Sequence, residues 1–159
     1  MESFLKYTKE QYELVRESRK VLIAYCKTIS PSDFLNENSS FGRGGSIRNL
    51  LTHIANTYEF WIGKYGLNKV VGFTSYNSIK NINDVIILFN VIDNLIFEFI
   101  DSLEKPEKQI VYEINGVKSS TTALKLFTHI ITHEFHHKGQ ILSISRHLGY
   151  TPVDTDIMR

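Results

Sequence analysis

TTALKLFTHIITHEFHHKGQILSISRHLG, residues 121–149, decides how this chain folds. A helix begins near Thr121 or Thr122 and runs to Leu148, where it meets Gly149, the residue type most at ease in the left-handed conformation. Stepping about 100° per residue with His133 at zero, Leu126 and Ile144 fall at about 20°, His137 at about 40°, Ile130 and Leu148 at about 60° and Ile141 at about 80°. One apolar stripe therefore carries two histidines four residues apart. Such a pair lies roughly 6 Å apart along one face, close enough for both imidazoles to reach one ion.

The rest of the chain is read in the same way. Thr8 and Gln11 have capping-box spacing, and Leu14, Val15, Leu22, Tyr25, Cys26 and Ile29 continue at helical intervals until Ser30-Pro31 interrupts them. A second helix starts after Ser46 and runs to about Lys64, with Gly63 and Gly66 near its end. A third covers about Asp84 to Leu103, before Pro106. Asn36 to Gly45 is a polar, glycine-rich loop without a phosphate-binding pattern. In IVYEINGVKSS, residues 110–120, the strand-like Val111 and Tyr112 precede Asn115-Gly116, a short-range hairpin signal. Four helices with one longer connection predict an all-α four-helix bundle, with a small hairpin or an extended segment between helices three and four and a single domain over 1–159.

Composition narrows the function. Eighteen Lys+Arg against seventeen Asp+Glu leave a net charge of +1, spread along the chain, which argues against a nucleic-acid surface. With 159 residues and 42% hydrophobic content the chain can build a core without metal or disulfide staples, so a bound metal need not be structural. Cys26 is the single cysteine, and MESFLKYTKE lacks the apolar run of a secretory signal, so a cytoplasmic protein is expected. The most apolar segment, Asp84 to Asp101, is broken by Asn90, Asp93, Asn94 and Glu98 and falls short of the ~20 apolar residues of a membrane span.

Helix two repeats the pattern of helix four. With His53 at zero, Phe60 falls at about −20°, Thr57 at about 40°, Leu50 at about 60° and Trp61 at about 80°, so His53 also points at the core. Bundles build metal sites from ligands on facing helices, which makes His53, His133 and His137 the candidate ligands. A lone histidine on an apolar face is commonly a hydrogen-bonded core residue; three together each need a partner, and one divalent cation serves them all. His129 and His136 border the same face and either hydrogen-bond a ligand or line a pocket, while His147 sits at the C-terminal end of the helix dipole.

RNLLTHIANTYEFW at 48–61 and HIITHEFHHKGQILSISRHLG at 129–149 give the whole chain a resemblance to the DinB/YfiT-like family. That resemblance implies a four-helix bundle, usually a homodimer, in which one histidine of helix two and an H-x-x-x-H pair of the last helix bind a divalent metal, often nickel or zinc. By motif these are His53, His133 and His137. Lys138 stands where the family usually has arginine before Gly-Gln, which keeps the charge but loses a fork of donors. Relatives in the wider superfamily include metal-dependent hydrolases, thiol-dependent isomerases and S-transferases. The resemblance thus implies a metal-dependent enzyme acting on a small molecule, with a low-molecular-weight thiol as cosubstrate and the ion lowering the pKa of thiol or water.

Two other readings stand beside it. One is a metal- or ligand-binding dimer without turnover, since Leu124, Ile131, Phe135 and Leu142 form a second apolar stripe that meets either a second copy or the protein's own third helix. The other is a zinc peptidase: His133-Glu134-Phe135-His136-His137 is formally H-E-x-x-H, with Glu134 as general base. Gln140 and Ser143 stand where the metzincin extension needs glycine and histidine.

Overall fold

The computed structural model describes residues 2–39 and 45–159. Part of the Asn36–Gly45 loop, residues 40–44, lies outside the described residues. The main helices are α1 (Glu2–Cys26), α3 (Ile47–Tyr58), α4 (Ile82–Asp101) and α5 (Ala123–His147); α2 is one turn, Pro31–Phe34. Strands β1 (Gln109–Ile114) and β2 (Val117–Thr122) pair antiparallel between α4 and α5. Helices α1 and α3 each pack against both α4 and α5, so they occupy opposite corners of a four-helix bundle. No described helix is long and apolar enough to cross a membrane.

The bundle closes because each long helix buries one stripe. In α4, Val85, Phe89, Ile92, Ile96 and Phe99 alternate at steps of four and three and are all essentially buried. They meet Tyr12, Val15 and Leu22 of α1, Leu50, Leu51 and Ile54 of α3, and Ile130, Ile141 and Ile144 of α5 in one apolar core. The capping residues work as their types dictate. Ser46 Oγ accepts from Asn49 N at 3.0 Å, Thr122 Oγ1 from Lys125 N at 3.1 Å, and Asn81 forms a reciprocal capping box with Asp84. Gly149 takes φ +94° after α5.

Three local expectations change. Thr8 does not begin α1: the helix starts six residues earlier, at Glu2, and the Thr8 hydroxyl donates to Phe4 O at 2.8 Å inside it. Phe4 and Leu5 pack against the core and carry the apolar stripe upstream of the capping-box pattern. At the other end α1 stops at Cys26 instead of Ile29. Ser30 and Pro31 then open the short α2, with Ser30 Oγ accepting from Asp33 N and Phe34 buried.

Helix two keeps α geometry only to Tyr58 and continues through Glu59–Gly66 in wider π turns, with Leu67 N donating to Ile62 O at 2.8 Å. Gly66 makes room for the Phe99 ring, and Phe60, Trp61 and Tyr65 come together as an aromatic group. The Asn115-Gly116 signal does form its hairpin. Both residues have positive φ, +51° and +78°, as a type I′ turn requires, and the Tyr65 hydroxyl donates to Glu113 O of β1.

Candidate metal centre

The stripes on α3 and α5 that bury Leu50, Ile54, Ile130 and Ile141 also aim three imidazoles at one another. One nitrogen from each of His53, His133 and His137 lies within 4.8 Å of the others. The ring centroids stand 5.0 Å apart for His53 and His133, 4.8 Å for His53 and His137, and 4.3 Å for His133 and His137. His137 is buried, the other two half-buried. Burial, followed by the neighbouring His137 and His53 imidazoles, pushes His133 down to about 3, so that ring is a neutral donor at physiological pH.

The donor set fits a divalent ion. His133 Nε2 and His137 Nε2 are 3.0 Å apart. Two nitrogens each about 2.0–2.1 Å from a zinc ion stand roughly 2.9–3.4 Å apart over the usual angles. His133 Nδ1 is buried without a hydrogen-bond partner, so the side chains alone leave this polar cluster incompletely satisfied.

Gln140 orients the cluster. Its Oε1 lies 2.6 Å from His137 Nδ1 and its Nε2 lies 3.3 Å from His136 Nε2. With the amide donating to His136 and accepting from His137 Nδ1–H, the His137 Nε2 lone pair is left facing His133. His136 thus reaches the trio through Gln140, while His129 packs edge-on against Trp61 at 5.4 Å and lines the adjoining cleft. The i, i+3 spacing of His137 and Gln140 carried that signal in the sequence. His147 Nδ1 lies 2.8 Å from Ser143 O in the last turn of α5.

Glu134 is no general base. Its side chain is fully buried and meets Arg19 twice, at 3.0 and 2.7 Å, Lys138 Nζ at 3.0 Å, and the Tyr58 hydroxyl, which donates to it at 2.6 Å. Burial pushes its carboxyl upward, but Arg19 and Lys138 outweigh that and hold it at about 2. The H-E-x-x-H reading fails here because the carboxylate is consumed by the core. Lys138 is likewise interior, donating to Ser18 Oγ at 2.8 Å.

Arg19 also donates to Asp93 Oδ1 at 2.6 Å, and Asp93 accepts from the Tyr12 hydroxyl at 2.7 Å. This network ties α1, α3, α4 and α5 together beside the imidazoles: Tyr58 follows His53 by five residues and Glu134 follows His133 by one. Sequence reading missed it, although Arg19 lies inside the Val15–Leu22 stripe of α1, an unusual place for a guanidinium.

Beside His53 and His133 opens a cleft of about 480 Å³, walled by Phe60, Trp61, Phe73 and His129 and edged by Asn56 and Thr57. Its volume lies within the range of about 300–1,000 Å³ common for ligand clefts. The second stripe of α5 is shared between core and surface: Ile131 is buried, Phe135 and Leu142 pack partly on the core, and Leu124 is 50% exposed.

A helical bundle with a cluster of imidazoles on two facing helices beside an aromatic cleft defines the class. The DinB family matches this chain over residues 1–159, and the chain belongs to that family. It is also similar to the uncharacterized protein YizA of Bacillus subtilis (strain 168), with 26% identity over 158 residues, covering 92% of this chain and 91% of that protein.

Proposed function

We propose that His53, His133 and His137 bind one divalent transition-metal ion, zinc or nickel, and that the protein is a metal-dependent enzyme acting on a small molecule in the adjoining cleft. The observation that carries this is the meeting of three imidazole nitrogens within 4.8 Å at the edge of an open cleft. Three neutral nitrogen ligands leave coordination positions open, and a bound divalent ion lowers the pKa of a water or thiol.

The chain's own residues divide the remaining work. Gln140 sets the tautomer of His137; the Tyr58–Glu134 contact ties α3 to α5 beside the imidazoles, and the Arg19–Glu134 contact ties α1 to α5. Phe60, Trp61 and Phe73 form an apolar wall that excludes water from one side of a bound molecule. Cys26 supplies no nucleophile, because it is buried in α1 with its thiol pushed up by burial to about 12. A thiol would therefore arrive as a low-molecular-weight cosubstrate, giving an S-transferase; water in its place gives a hydrolase. The direct border between cleft and imidazoles favours catalysis over a binding role without turnover.

A cytoplasmic homodimer completes the proposal, supported by the single reduced cysteine and by the half-exposed Leu124 end of the α5 stripe. Elemental analysis of the natively purified, untagged protein beside His53→Ala and His137→Ala tests the centre. The expected result is about one ion per chain, lost in both variants. Absence of metal after addition of zinc and nickel would overturn it.

A further inference from the structure

The cleft has a neighbour on its far side. A hollow of about 180 Å³ is walled by Trp61, Tyr112 and Leu126 and rimmed by Thr121, Lys125 and His129. Trp61 and His129 belong to both hollows, so the two share a wall. Trp61 stands edge-on to Tyr112 at 5.3 Å and to His129 at 5.4 Å, presenting indole surface to each side.

Lys125 is oddly placed for a purely solvated residue. It occupies the first turn of α5, a turn without any acidic residue, where the helix dipole disfavours a cation. It makes no ion pair among the described residues, and neither hollow is lined by an aspartate or glutamate. The helix amides there are already engaged: Ala123 N donates to Lys108 O at 2.9 Å, Leu124 N to Pro106 O at 3.0 Å and Lys125 N to Thr122 Oγ1 at 3.1 Å. Any negative charge in the hollow is therefore met by the ammonium and not by the helix end.

The placement along α5 is regular. Lys125, His129, His133 and His137 follow one another at intervals of four, so they form a single row on the helix. Lys125 and His133 are separated by roughly 12 Å of helix axis. The row leads from a cation, along an aromatic wall, to the imidazole cluster.

We propose that the smaller hollow is a subsite for the anionic end, carboxylate or phosphate, of an amphipathic small molecule whose apolar body lies on Trp61 and whose reactive end reaches the imidazoles. The anion is held by the Lys125 ammonium, with the Thr121 hydroxyl and the His129 ring beside it. The acidic end thus selects substrates that uncharged molecules of the same shape do not match. This deepens the metal-enzyme reading for the reactive end, but the anion subsite itself needs no ion.

Trp61 is the only tryptophan of the chain, so its fluorescence reports directly on the shared wall. Full-length protein, both as purified and after chelation, is titrated with 3-phenylpropionate, phenyl phosphate and the neutral 3-phenylpropionamide, and the same series is run on Lys125→Met. Lys125 is exposed, so this variant should fold normally. Expected is a preference of about fivefold or more for one or both anions over the amide, lost in Lys125→Met while amide binding stays unchanged. The better anion identifies the group recognised. Equal binding of acid and amide, a preference that survives Lys125→Met, or no Trp61 response to any probe would overturn the subsite. The chelated arm, repeated in His53→Ala, separates the two readings. A Lys125-dependent preference kept in these metal-free proteins supports the subsite whatever the fate of the metal centre; unchelated wild type that takes up neither zinc nor nickel sinks only the metal centre, and protein that holds metal without the preference sinks only the subsite.

Discussion

Arg19 of α1 grips Glu134 of α5 at two points, Nε to Oε1 at 3.0 Å and Nη2 to Oε2 at 2.7 Å, with both side chains buried. The glutamate next to the first imidazole of the α5 pair is thereby a structural anion. Removing one partner leaves the other buried and uncompensated, a cost of about 3–5 kcal/mol. Arg19→Met should therefore lower the urea midpoint severely. Glu134→Gln should do the same, because Arg19 and Lys138 lose a shared counter-charge. Equilibrium denaturation checks both, and a change below about 1 kcal/mol would contradict the buried pair.

The same contact sets an acid limit. Arg19 and Lys138 hold folded Glu134 at about 2, below its ordinary value of 4.5. A carboxylate whose pKa is depressed by folding stabilises fully above the unfolded value and loses that contribution as pH falls toward the folded one. The stability gap between wild type and Glu134→Gln should be constant from neutral pH down to about 4.5 and shrink between there and about 2. Denaturation curves of both proteins across that range test the sign: a gap that widens on acidification would reverse it.

Gln140 touches His137 and His136. Substitution of residues that orient a ligand typically costs about 10–100-fold in metal affinity. Gln140→Ala should weaken zinc binding by that order while leaving thermal unfolding of the chelated protein close to wild type. A competition titration with a chromophoric chelator gives the first quantity and circular dichroism the second.

Cys26 is 2% exposed and its thiol is raised by burial to about 12. It should resist an aromatic disulfide reagent in native buffer and react stoichiometrically in denaturant. Rapid modification of the native protein would place the thiol in reach of solvent.

Gly66, in the π turns after α3, faces the Phe99 ring so closely that an added Cβ would stand 2.8 Å from Phe99 Cε2. Phe99 is fully buried and cannot swing away cheaply. Gly66→Ala should cost about 1–3 kcal/mol by overpacking. Gly72→Ala is the control, since nothing lies within 4 Å of the Cβ it would add.

Much of this architecture is written locally. The stripe containing Leu126, Ile130, His133, His137, Ile141 and Ile144 has helical period, and a histidine inside an apolar stripe must face the same way as its neighbours. Ser46, Thr122 and Gly149 mark helix ends because their chemistry satisfies or turns the adjacent backbone, and Asn115-Gly116 makes its hairpin because both residues accept positive φ. His53, His133 and His137 were therefore legible as inward-facing residues, and Gln140 was within reach of the same spacing argument. Other features depend on partners distant in the chain. Thr8 has a capping pattern, yet packing of Phe4 and Leu5 on the core carries α1 past it. In the wide turns at Glu59–Gly66, Gly63 and Gly66 stand where a Cβ would meet Val71 and Phe99, neighbours brought in by the fold. Glu134 looks like a peptidase base in the letters H-E-x-x-H, but Arg19, 115 residues away, joins the neighbouring Lys138 in making it an interior ion-pair partner. The sequence by itself determined the four long helices, the caps at Ser46, Thr122 and Gly149, and the inward direction of His53, His133 and His137, because those follow from backbone period and nearest-neighbour chemistry. Tertiary structure alone decided which charges neutralise one another and which side chains border the cleft, because burial makes an unpaired charge too costly and the fold selects the partner.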